Sequence, residues 1–146
     1  MIKSSNVGAV QVAEKVGTKK MIEYMKNMGI STIVTRDMNS AVNDENLSMA
    51  LGGMTKGVTP LDLTAAYASI ANSGKYTKPV FITKIENTSG TVLYESTPEI
   101  RQIATAQNAY IMTDIMKDVV NRGTGGRARV RNFVTVGKTG TTNDEK

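Results

Sequence analysis

Toward its C-terminal end the chain reads FVTVGKTGTTNDEK. Within that stretch Gly137, Lys138, Thr139, Gly140 and Thr141 gather a cation, two hydroxyls and unhindered backbone. Residues of these types grip an anion, either a phosphate in a ring of backbone amides or a carboxylate at the edge of a sheet. A Walker A loop needs glycine five positions before its Gly-Lys pair, and here that position holds Asn132. Such a loop also opens a helix, and the six residues after Gly140 are too few to form one. The phosphate reading fails on both counts.

The carboxylate reading takes Lys138-Thr139-Gly140 as the end of a strand. An exposed strand edge offers backbone N–H and C=O groups to an extended peptide, and a glycine lets the ligand backbone come close. Lys138 would supply the charge, and Thr139 and Thr141 the hydroxyls, for a peptide's terminal carboxylate. A lone Lys-Thr-Gly is more often an ordinary strand with a solvated lysine, so companion residues must decide.

Composition narrows the chemistry. The 146 residues make one domain or a piece of one, and 40% apolar with 21% charged residues is a globular balance. There is no cysteine and no histidine. Disulfides, a Cys nucleophile, a Ser-His-Asp triad and His- or Cys-ligated metal are thereby excluded, and acid–base work falls to Lys, Asp, Glu or Tyr. No metal or organic cofactor is expected. A net charge of +5 and a pI near 9.5 favour anionic partners. The nine methionines suit irregular core packing. No stretch is apolar enough for a membrane span, and the polar start is unlike a signal peptide; any targeting signal of an exported parent is expected outside this chain.

The elements that must hold these residues follow from local pattern. A helix is predicted from Ser4 or Ser5, with Val7, Val10, Ala13 and Val16 on one face, broken at Gly17-Thr18. A second carries Met21, Ile22, Met25 and Met28 and stops at Gly29. Residues 30–57 are turn-rich. Thr59 as N-cap, Pro60 at the first position and Asp62 at the positive end start a third helix, which runs to Gly74 as its C-terminal stop. PVFITKIE and TVLYES around NTSG read as a hairpin. Ala106 to Val120 reads as a helix with Ile111, Ile115 and Val119 inward, and FVTVGKTG as a strand. The fold class is α+β, helices packed on a small antiparallel sheet.

Lys-Thr-Gly accompanies Ser-x-x-Lys and a Ser-x-Asn type element in penicillin-binding proteins and class A β-lactamases. Ser4-Ser5-Asn6, at a helix start, resembles the Ser-x-Asn element. ALGGMTKGVTPLDLTAAYASIANSGKYTKPVFITKI, AYIMTDIMKDVVNRGTG and VGKTGTTND resemble the transpeptidase domain of class A (bifunctional) penicillin-binding proteins. The resemblance covers nearly the whole chain. It implies a penicillin-binding-protein/β-lactamase-like fold, of which residues 1–146 are a partial domain from Ser-x-Asn through the Lys-Thr-Gly strand.

The resemblance also implies roles. Ser4 would take part in proton transfer and Asn6 would hold the amide of the bound peptide or β-lactam. Lys138 would set the electrostatics, Thr139 and Thr141 would bind the carboxylate, and the backbone around Thr139 and Gly140 would pair with the substrate. Ser4 and Asn6 taken alone read as helix caps. The implied partners are peptidoglycan stem peptides, β-lactams, and the rest of the domain or a complementary chain. The implied location of the parent protein is the outer face of the bacterial cytoplasmic membrane. The family's nucleophile is the serine of Ser-x-x-Lys, and no serine here has lysine three positions on. The chain alone is expected to be inactive, as an internal piece of a larger enzyme.

Three alternatives stand beside this. A non-catalytic peptidoglycan-binding or scaffolding relative would lack Ser-x-x-Lys altogether. A β-lactamase-like hydrolase would need a water-activating carboxylate, for which Glu14, Glu23 and Asp37 are available. Nucleic-acid binding would use Arg122, Arg127, Arg129 and Arg131, the last three alternating along a strand, but the aromatic residues of single-strand binders are missing. No nucleic-acid partner is expected.

Overall fold

Side-chain caps set the helix starts. Ser5 Oγ accepts from the Gly8 amide at 3.3 Å and opens α1 (Asn6–Val16). Gly17, at φ +84°, ends it and leads directly into α2 (Thr18–Asn27). Thr59 Oγ1 accepts from the Asp62 amide at 3.1 Å, with Pro60 in the first turn, and opens α3 (Pro60–Ala71). Thr105 caps α4 (Ala106–Arg122) through the Asn108 amide at 3.2 Å. Each cap satisfies an amide that the helix itself leaves unpaired. The structure is a computed structural model and describes residues 1–141.

The strands are short and form two separate antiparallel pairs. β1 (Lys75–Thr77) pairs with β4 (Ile100–Gln102), setting Tyr76 opposite Arg101. β2 (Lys84–Glu86) pairs with β3 (Val92–Glu95) as the expected hairpin, with an irregular register between Ile85 and Glu86. α3 packs on β1 and on α4, which gives the α+β arrangement of helices on antiparallel sheet. The β1–β4 pair joins residues about 25 positions apart, and neither strand has an apolar alternation to announce it.

A core of Ile22, Ile30, Ile33, Met49 and Ala66 lies between α2, α3 and the intervening loops, with Met21, Met25, Met28, Met54 and Val58 against it. These five methionines fill an irregular space, whereas Met1, Met38 and Met112 are exposed. Gly29 shows why α2 ends where it does. Its φ is +86°, and a Cβ there would lie 2.3 Å from the Tyr76 hydroxyl. Arg101 braces the same corner, stacking over the Tyr76 ring at 4.5 Å while its Nε donates to the Asn27 carbonyl at 2.9 Å.

Residues 30–57 carry no strand; one buried carboxylate holds them. Asp44 accepts from the Val34 amide and from the Thr55 amide, each at 2.7 Å. Burial raises its pKa, but the hydrogen bonds from Thr55 and Val34 outweigh that and hold it below the ordinary carboxylate value.

Several expectations need correction. α4 buries Val119 as expected, but in company with Ala109, Met116 and Val120; Ile111 and Ile115 are 55% and 41% exposed. Val7 and Val16 of α1 are also exposed, leaving Ala13 as the buried residue of that helix. Residues 134–141 make no strand, because no described strand lies beside them to take their backbone hydrogen bonds. Arg127 lies in a 3-10 turn, Gly126–Ala128, and Arg129 donates to the Asn121 carbonyl at 3.0 Å, so these arginines do not alternate along a strand. Among the described residues, no helix is long and apolar enough to cross a membrane.

Candidate active site

The N-terminal segment enters α1 through a tight turn in which the Ser4 amide donates to the Met1 carbonyl at 3.0 Å. Ser4 sits at φ +49°, the left-handed region that a residue with a Cβ occupies at a cost of about 1–2 kcal/mol. Ser5 does the capping, so Ser4 does not cap α1. The Ser4 hydroxyl instead faces the opposite end of the sequence. Lys138 Nζ donates to Ser4 Oγ at 2.7 Å across 134 positions. Asn6, the first residue of α1, is exposed on the same segment.

Lys138 is fixed from its other side as well. Its ammonium donates to the Thr139 carbonyl at 2.7 Å and lies 3.5 Å from Thr139 Oγ1. Three donor positions on one ammonium thus span Ser4 and Thr139, and the positive charge is held between two hydroxyls. None of the four ion pairs among the described residues uses Lys138. Gly140 has open space where a Cβ would stand, and Thr141 is exposed next to it. The backbone after Thr139 is therefore open to approach, although it forms no ladder. The last part of the VGKTGTTND stretch, from Thr142 on, lies outside the described residues.

Thr124 joins this group, although no motif in the sequence marks it. Its Oγ1 is 2.7 Å from Thr139 Oγ1. It lies in Arg-Gly-Thr-Gly-Gly just past α4, and the glycines on each side mark a close backbone approach. A Cβ on Gly123 would come within 2.7 Å of the Ile2 carbonyl oxygen and 2.9 Å of that of Val119. Glycine there lets the end of α4 lie directly against the segment that carries Ser4.

The assembled group is a lysine between Ser4 and Thr139, with Thr124 behind Thr139, on an open surface. Two clefts of about 360 and 560 Å³ lie elsewhere, one between Lys26 and Arg101 and one between Lys117 and Thr135. The ammonium can stabilise a deprotonated Ser4 or attract an anion. The Thr139 hydroxyl beside it can donate to a carboxylate. Ser4 and Lys138 are thus brought into direct contact, Thr139 adjoins them, and Gly140 and Thr141 extend the open side.

Known proteins resemble this chain along most of its length. The family model of the penicillin binding protein transpeptidase domain matches residues 1–145. Penicillin-binding protein 1A of Aquifex aeolicus is 38% identical over 141 residues, covering 97% of this chain and 18% of the relative. Penicillin-binding protein 4 of Bacillus subtilis is 35% identical over 141 residues, covering 97% of this chain and 22% of its own length. The chain thus spans about a fifth of these relatives. Penicillin binding protein 3 from Mycobacterium tuberculosis, complexed with ampicillin, superposes with a TM-score of 0.76 at 23% identity over 88% of this chain and 32% of that one. The D,D-transpeptidase domain of a peptidoglycan glycosyltransferase from Eggerthella lenta gives 0.74 at 21% identity over 99% of this chain and 41% of that one. These two share the fold. With a family model matched from residue 1 to 145 and relatives above 30% identity along its length, the chain belongs to the penicillin-binding-protein transpeptidase family.

Proposed function

We propose that this chain forms two walls of the active site of a class A peptidoglycan D,D-transpeptidase, and that it is inactive alone. In the complete enzyme a serine of Ser-x-x-Lys is acylated by a stem peptide ending in D-Ala-D-Ala, with release of D-alanine. The acyl group then passes to the amine of a neighbouring strand. β-Lactams acylate the same serine. The parent protein works at the outer face of the cytoplasmic membrane.

The observation that carries this reading is the 2.7 Å contact between Lys138 Nζ and Ser4 Oγ, made across 134 positions. In the proposed roles Ser4 passes a proton, aided by the adjacent ammonium, and Asn6 holds the substrate amide. Thr139 and Thr141 hold the carboxylate while backbone at Thr139 and Gly140 pairs with the ligand. No serine of the 146 residues begins Ser-x-x-Lys, so nothing here attacks, and loss of an activated nucleophile removes several orders of magnitude of rate. A second reading, a relative that binds peptidoglycan without reacting, differs in having no Ser-x-x-Lys in the parent protein.

Intact mass after benzylpenicillin treatment tests both, on a protein extended through its native sequence before Met1. The expected result is a stable adduct on an upstream serine, formed more slowly in Lys138→Ala. A folded extended protein that takes up no adduct would overturn the transpeptidase and favour the non-reacting relative. An adduct on residues 1–146 alone would overturn the claim of inactivity.

A further inference from the structure

Thr139 Oγ1 lies between two neighbours of unequal kind. Lys138 Nζ, 3.5 Å away, has only protons to give, whereas Thr124 Oγ1, 2.7 Å away, can give or accept one. A threonine hydroxyl has a single proton. If that proton is spent on Thr124, Thr139 can offer a carboxylate nothing but lone pairs. If Thr124 donates, the Thr139 proton is left to point outward beside the ammonium.

The loop that carries Thr124 is fixed by backbone. The Gly125 amide donates to the Val119 carbonyl at 2.9 Å, and Gly123 has no room for a Cβ between the Ile2 and Val119 carbonyls. The same loop therefore touches the segment leading into Ser4 and, through one hydroxyl, Thr139.

We propose that Thr124 is a positioning residue for the carboxylate site: its hydroxyl donates to Thr139 Oγ1 and so fixes the Thr139 hydroxyl with its proton turned toward the ligand carboxylate. This rests on the transpeptidase reading above. Thr124 acts through Thr139, and its influence is confined to ligands that carry the carboxylate. Thr124 is itself exposed, so removing its hydroxyl leaves no buried group unpaired.

The test uses the full-length protein that contains this chain, with second-order acylation rate constants for benzylpenicillin and for its methyl ester. For Thr124→Val, the Thr139 hydroxyl keeps its proton but loses the donor that orients it, and the expected result is a fall of about two- to tenfold with benzylpenicillin, the size of one lost neutral hydrogen bond, and little change with the ester. Thr124→Ser should restore the preference for the acid. Thr124→Ala gives the same reading should the valine variant not fold. Equal losses with both probes, or no loss with either, would overturn the inference while leaving the transpeptidase intact. Failure of the unsubstituted protein to be acylated at all would overturn the transpeptidase reading and this inference with it.

Discussion

Ser4 combines a strained backbone with a hydroxyl held 2.7 Å from a lysine, and the two features can be separated by substitution. Alanine at this position keeps the left-handed φ and removes the hydroxyl. Glycine removes both the hydroxyl and the strain, at the cost of a more flexible unfolded chain. In the full-length protein, Ser4→Ala and Ser4→Gly are expected to lose benzylpenicillin acylation alike, by about 10- to 100-fold for a hydrogen bond to a charged group. Their stabilities should differ, with Ser4→Gly the more stable by up to about 1 kcal/mol. Acylation rates and melting temperatures of the pair check this. A glycine variant that acylates normally would mean that the hydroxyl is idle and the turn alone matters.

At the scale of elements, the capped helices and the long irregular segment are held by different means. The segment between α2 and α3 depends on Asp44, whose two oxygens take one amide from each side of it. Asp44→Ala strands the buried Val34 amide, a loss of about 1–3 kcal/mol, and leaves the Thr55 amide, on an exposed residue, to water. Hydrogen exchange at those two amides should accelerate by about 5- to 150-fold, with α4 amides unaffected. Unchanged protection at Val34 and Thr55 would show that other contacts hold the segment. Asp44 drew no attention in the sequence because its partners lie 10 and 11 positions away, outside any local motif. Thr59-Pro60 was legible for the opposite reason, since a cap acts within three residues. The inward face of α4 was misread because Ile111 and Ile115 are more apolar than Ala109, and periodicity alone does not say which stripe meets α3. Lys138 and Ser4 were legible as types, but their contact and the part played by Thr124 depend on a loop packed by Gly123.

Across the whole molecule, the carboxylates that tie separate parts together set the pH response. Asp62, at the start of α3, accepts from the Ser31 hydroxyl at 2.6 Å and the Ser31 amide at 2.9 Å, fastening α3 to the segment after α2. Those bonds, the hydroxyl's first, hold its pKa below the ordinary carboxylate value. Asp44 is held low as well, by the Thr55 and Val34 hydrogen bonds working against burial. A group with a depressed folded pKa stabilises the fold fully above its unfolded value of about 4, and that stabilisation is lost as pH falls through the lower folded value. The chain has neither histidine nor cysteine, so no side chain with an ordinary value between pH 5 and 8 adds a second step. Below pH 4 its 13 acidic groups also neutralise while its 18 basic groups remain, and self-repulsion grows. Stability should therefore be flat from about pH 5 to 8 and fall below about pH 4. The first protection lost should be at Ser31, Val34 and Thr55. Hydrogen exchange along a pH series, corrected for intrinsic rates, measures both the midpoint and the order of opening. Loss centred between pH 5 and 7, or α4 opening before Ser31, would refute the assignment of acid sensitivity to Asp44 and Asp62.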